Sequence, residues 1–363
     1  MRIRFGQRNE AEQRRLHEIE ERAARMLGEG VLGAICPELW LEHSGNGALA
    51  LRPREAALLP LVDHLVTQLG SKAPPIALAP VLPLEEALKR AREIADFSQA
   101  RLRVGFARGH LLDVVFALPG GSGSEREIEA ATRLVFDLLG PRLALAWLGR
   151  VSVVPAPRLG PLKVLDSGAP SGNLVVAELA PTFKAAIQGL YAGLPDSPYG
   201  ESSHQEEWSL FELEPEPARD YAAQDDLVFA STCVPEALKC YLSGLSFASE
   251  RFSRFGERFF YIKYRCRGAP EVRLEERQQL EDLLDRSLLV AKAGRVVGAG
   301  LGLAYSYVHC ALSSLERGLA LMAEAAQRRE LPEQAWLLPF DAEFAEEWLG
   351  VWPGAEAPPV HRA

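Results

Sequence analysis

Residues 258–266, Arg258-Phe-Phe-Tyr-Ile-Lys-Tyr-Arg-Cys266, decide how the last third of this chain reads. Alternate side chains of an extended strand point to opposite faces. Phe260, Ile262, Tyr264 and Cys266 therefore share one face, and Phe259, Tyr261, Lys263 and Arg265 share the other. Moving forward, Leu274, Leu280, Leu283, Leu284 and Leu288 recur at helical spacing. Arg295–Leu301 and Leu303–Ala311 read as two strands with Gly302 near their junction. Ser313 and Glu316 have the spacing of a capping box, and Leu315, Leu319, Met322, Ala323 and Ala326 stripe the helix behind it. Ala335–Phe340 closes the series as a strand. The order β-α-β-β-α-β is that of a ferredoxin-like unit. Leu227–Thr232 (a strand) and Pro235–Leu242 (a short helix) precede it, so 226–363 reads as one C-terminal module with an aromatic tail.

Upstream the pattern is less regular. Residues 2–6 read as a short strand and 9–27 as an amphipathic helix. Glu38–His43 and Ala48–Leu51 flank Ser44-Gly-Asn-Gly47, a hairpin signal because Asn-Gly supplies positive φ angles. Pro53 opens a second helix running to about Gln68, and 1–72 forms a helix-hairpin-helix α/β module. Residues 76–79 (strand), Leu84–Phe97 (helix), the hairpin Leu102–Ala107 and Leu111–Leu118, a helix capped by Ser124 and Glu127, and Leu143–Leu148 (strand) predict a second ferredoxin-like module over 73–157. Residues 158–225 read as an irregular connecting region with a helix at Thr182–Tyr191, a strand at Trp208–Leu213 and an acidic, proline-bearing solvated linker or long loop over Glu212–Asp226. The fold class is α+β, built of tandem two-layer α/β modules.

Composition excludes several classes of function. The chain has 363 residues, 48% hydrophobic and 25% charged, which is globular rather than disordered. A net charge of −9 argues against a surface that binds nucleic acid everywhere. Met1-Arg-Ile-Arg-Phe-Gly6 carries charge at once and lacks an apolar signal core, so a cytosolic protein is expected. Val296–Leu315 runs without a formal charge, but its glycines, serines and His309 make a buried hairpin a better reading than a membrane span. Arginine dominates lysine, 33 to seven, in an Ala/Leu/Gly/Pro-rich background that resembles a high-GC bacterial chain. The five cysteines, Cys36, Cys233, Cys240, Cys266 and Cys310, include no C-x-x-C pair and are expected to be reduced and mostly buried.

Candidates for chemistry are few. Gly298-Ala-Gly-Leu-Gly302 leads into a β-branched and aromatic run rather than a helix, so a tight turn with close backbone packing is expected instead of dinucleotide binding. Gly120-Gly-Ser-Gly-Ser124 opens a helix with Glu125 and Glu127, whose carboxylates would repel phosphate. No G-x-S-x-G, H-E-x-x-H or H-x-E…C-x-x-C pattern occurs. His204 stands in an acidic tract and His64 in an apolar-periodic helix; neither suggests a ligand. No catalytic residue, metal or cofactor is expected, and Cys266, flanked by Arg265 and Arg267, is the one cysteine in a cationic setting.

The most informative feature is the strand face bearing Arg254, Phe259, Tyr261, Lys263, Arg265, Tyr305, Tyr307 and His309. Tyr and Arg are enriched at interface hot spots, so this set is the expected partner-binding surface. Tyr305-Ser-Tyr-Val308 resembles the middle of the RRM octamer, which implies single-stranded RNA binding as a third reading. Leu303-Ala304 and Cys310 depart from that motif, and a face packed against another module explains the same residues. In the tail, Phe344, Trp348 and Trp352 either anchor the chain end or dock a basic partner. The reading is a non-catalytic protein-binding, adaptor or immunity-type regulatory protein whose partner is another protein, not nucleic acid or membrane. An enzyme or small-molecule binder using a cleft between modules is the alternative.

Overall fold

The computed structural model describes residues 10–29, 31–43, 49–69, 76–156, 171–201, 207–345 and 347–359. The expected strand at 2–6, the Ser44–Gly47 turn and His204 lie outside them. The chain is α+β and divides into two compact units, one of Arg15–Gly193 and one of Leu194–Ala363 together with Met1–Arg14.

The first unit opens on α1 (Glu10–Glu29), whose Ile19 and Ala23 are buried with Ile35, Leu41 and Val62. Strands β1 (Gly33–Cys36), β2 (Leu39–His43), β3 (Leu49–Pro53) and β4 (Ile76–Leu78) form a sheet in chain order. Pro53 ends β3 instead of opening a helix, and α2 runs from Leu59 to Leu69. β4 pairs parallel with β3, and Ala79 N donates to Leu51 O at 2.8 Å. The strand expected to begin the 73–157 module therefore completes the N-terminal sheet.

A second sheet follows, in the order β7-β6-β5-β8, from β5 (Arg101–Phe106), β6 (Leu112–Leu118), β7 (Leu148–Pro155) and β8 (Ser171–Val175). α3 (Leu84–Ala91) precedes β5, and helices α4 (Glu125–Leu139) and α5 (Pro141–Trp147) carry the chain back, so β7 lies parallel to β6. A ferredoxin-like module over 73–157 is corrected: its first strand pairs elsewhere, the expected strand Leu143–Leu148 lies in the helix α5 up to Trp147, and the strand that follows, β7, is parallel to its neighbour. Ser124 and Glu127 do close the capping box expected at the start of α4. The stretch 158–225 supplies β8, the helix α6 (Leu179–Gly193), which buries Phe183 and Ile187, and β9 (Ser209–Glu212), so it is more than a connector. Inside this unit Arg52 bonds Asp137 at 2.5 Å and Glu42 at 3.2 Å, with Arg90 and Arg133 also on Glu42. Burial pushes the Asp137 carboxyl up against the pull of Arg52.

The second unit is a seven-stranded antiparallel sheet in the order β15-β14-β11-β13-β12-β10-β9. Its strands include β10 (Leu227–Thr232), β11 (Arg258–Arg265), β12 (Gly294–Gly302), β13 (Tyr305–Leu312), β14 (Ala335–Pro339) and β15 (Leu349–Gly350). With α8 (Pro270–Val290) after β11 and α9 (Leu315–Arg328) after β13, 258–340 has the expected β-α-β-β-α-β order. Leu280, Leu284 and Leu288 of α8 and Leu319 and Met322 of α9 bury the face carrying Phe260, Ile262, Val308 and Cys310. The N-cap of α9 is Ser314, with no side-chain cap bond, and Ser313 Oγ donates to Lys292 O instead. Among the described residues no helix is long and apolar enough to cross a membrane.

Candidate functional site

The opposite face of this sheet is the one the sequence offers for binding, and it is closed. Phe259, Tyr261, Lys263, Tyr305, Tyr307 and His309 are all buried, none above 2% exposure; only Arg254 and Arg265 are exposed. As a directly contacted partner surface the six buried residues are corrected. Its cover comes from the same unit: α7 (Pro235–Leu242) with the turns that follow it, and the loop between β9 and β10. A loop laid on a sheet brings backbone polar groups that need partners, which is why this face carries phenols, an ammonium and an imidazole.

The network is explicit. Asp226, fully buried, accepts the backbone N–H groups of Ala304 at 2.7 Å and Tyr305 at 2.9 Å, and the Tyr307 hydroxyl. Lys263 Nζ donates to Tyr221 O at 2.6 Å and sits 4.2 Å from the Tyr305 ring centre. Tyr305 OH donates to Asp220 at 2.7 Å while accepting from Arg265 at 3.3 Å. His309 Nε2 meets Gln224 Oε1 at 2.8 Å. The glycines of β12 make this possible: a Cβ on Gly302 would run into the Asp226 carboxylate, and one on Gly298 would lie 2.9 Å from His309 Nδ1. Close backbone packing is thus their role, although they lie within a strand and not a turn.

Burial sets the protonation states. It holds the Lys263 ammonium down at about 8, against Asp226, Asp220 and Asp225, and His309 down at about 3. The Tyr261 hydroxyl is pushed well up by burial and by Tyr241, and that of Tyr307 by burial and Asp226. Burial also raises the thiols of Cys36, Cys240, Cys266 and Cys310. For Cys266, 2.9 Å from Ser306 Oγ, burial outweighs the opposing pull of Ser306 and Arg273, so no thiolate is favoured. Among the described residues no group of three His, Cys, Asp or Glu could hold a metal ion.

Above the covered face the same elements leave a groove of about 730 Å³. One wall is the β9–β10 loop from Leu213 to Asp225, and the other runs from Tyr241 to Phe247. Its floor is aromatic: Tyr241 OH and Tyr261 OH meet at 2.9 Å, and the Phe340 ring centre lies 4.6 Å from Tyr241 and 5.1 Å from Tyr261. Among the described residues the lining holds four carboxylates, Glu214, Glu216, Asp220 and Asp225, and neither lysine nor arginine. Of the two readings open for Glu212–Asp226, a solvated linker or a long loop, the structure shows a long loop, and it forms a wall of the groove. Gln224, 2% exposed, also lines the groove, and its amide nitrogen has no hydrogen-bond partner among the described residues.

The tail is largely committed to the fold. Trp348 is buried in the aromatic cluster, Trp352 Nε1 donates to Leu331 O at 2.7 Å, and Phe344 lies 5.9 Å from the Arg258 guanidinium. Trp348 and Trp352 thus anchor the chain end, and the docking reading is corrected for both.

No protein-family model, curated protein or solved structure matches this chain.

Proposed function

We propose that residues 194–363 form a ferredoxin-like unit, widened by an extra strand at one edge and a hairpin at the other, that serves as a cytosolic protein-binding module. Its binding surface is the groove bounded by 213–225 and 241–247, not the sheet face beneath. The observation that carries this reading is the groove itself: aromatic-floored, walled by loops, and large enough for several residues of an extended chain. The raised thiols and the imidazole held at about 3 favour a binding role over nucleophilic or acid–base chemistry. Buried beneath loops, Tyr305 and Tyr307 offer no platform for stacked bases, which favours protein over RNA as partner.

Filling the groove tests the reading. Leu245→Trp with Ala342→Trp places two indoles on half-buried lining positions. An array of capped twelve-residue peptides of random sequence is expected to give a set of binders to the native chain that the filled variant loses, with its melting temperature within a few degrees of native. Binders retained in full by a folded, filled variant would place recognition elsewhere.

A further inference from the structure

Resting on that reading, we infer that the groove selects a peptide segment bearing arginine or lysine, with the cationic side chain over the aromatic floor and its charge met by the acidic rim. Charge complementarity commits the occupant. Four carboxylates line the groove without a basic residue, and Glu214 and Glu216 are exposed with no ion-pair partner among the described residues. The cations close by are engaged or set aside: Lys263 is buried on Tyr221 O and the Tyr305 ring, and Arg219 of the same loop does not line the groove.

The floor adds a reason for an organic cation. Ring faces attract guanidinium and ammonium groups, and the attraction grows when the groove strips their water. Half-buried Tyr241 is the ring open to the groove, backed by the buried Tyr261, Phe247 and Phe340, and the methylene stem of either side chain packs on it. Gln224 supplies a different signal. Its amide nitrogen is an orphan donor at the groove lining, and a peptide carbonyl is the acceptor that would complete it. A bare polyamine satisfies the rim but offers Gln224 no acceptor, so a peptide is the better fit.

The test uses fluorescein-labelled, doubly capped six-residue peptides of identical frame carrying two Arg, two Gln or two Glu, titrated by anisotropy against the full chain. The Arg peptide is expected to bind at least about tenfold tighter than the Gln peptide, and Glu214→Gln with Glu216→Gln to weaken it about fivefold with an unchanged melting temperature. Raising salt from about 50 to 500 mM should erode most of the Arg preference. Gln or Glu peptides binding as tightly, and still lost in the Leu245→Trp, Ala342→Trp variant, would overturn the cation inference and leave groove binding standing. Spermidine competing as well as the Arg peptide would show that charge alone is read, and would overturn the peptide assignment. Peptide binding indifferent to the filled groove would overturn both readings.

Discussion

The two faces of the seven-stranded sheet are made from the same strands and solve different problems. Under α8 and α9 the side chains are Phe260, Ile262, Val308, Leu337 and their kind, a dry apolar layer. One residue along each strand, on the other face, stand Tyr261, Lys263, Tyr307 and His309. The difference lies in the cover. A helix satisfies its own backbone and asks only for apolar area, whereas a loop asks for partners. The helix face is held by area, which is graded; the loop face is held by directional bonds, which fail together.

Truncating each face is the sharpest way to break this contrast. Asp226→Ala strips an acceptor from the buried Tyr305 N–H, the half-buried Ala304 N–H and the Tyr307 hydroxyl, and is expected to cost about 4 kcal/mol in urea unfolding. It should also open the β9–β10 loop to protease. Leu284→Ala beneath the helices is expected to cost about 3 kcal/mol, through lost burial and a residual cavity, with the loop still protected. A reversed order, or loop cleavage in Leu284→Ala alone, would contradict the division of labour proposed for the two faces.

The smallest effect expected is on pH dependence. His309 is held near 3 by burial, below its ordinary 6.5, so between those values the unfolded chain binds a proton that the folded chain refuses. Stability should therefore fall as pH drops from about 6.5 towards 3, and His309→Gln should flatten that slope. Glu281 on α8 goes the other way: burial, opposed by Arg277, raises it from 4.5 to about 7. The folded state then holds the extra proton, so its contribution is lost as pH rises from about 4.5 to 7, and Glu281→Gln should remove that loss. Thermal melts across pH 4–8 on both variants check the two signs; the same sign for both would defeat the assignment.

Local pattern determined much of this protein. Alternation in 258–266 and 303–311, helical stripes in 274–288 and 315–326, and the Ser124–Glu127 cap each rest on neighbours within a turn or two of chain, and each stands in the structure. What the alternation could not say is what covers the second face, because cover is supplied by residues tens of positions away. Lys263 and Tyr221 meet across 42 residues, and Asp226 and Tyr307 across 81. The same distance hid the partner of β4 and the parallel placement of β7, since strand pairing depends on which way the intervening chain returns. The groove belongs to this second class. Its acids were visible as a polar linker, but only the packed loops make them a wall, because a concave surface exists only once separate segments have been brought to face one another.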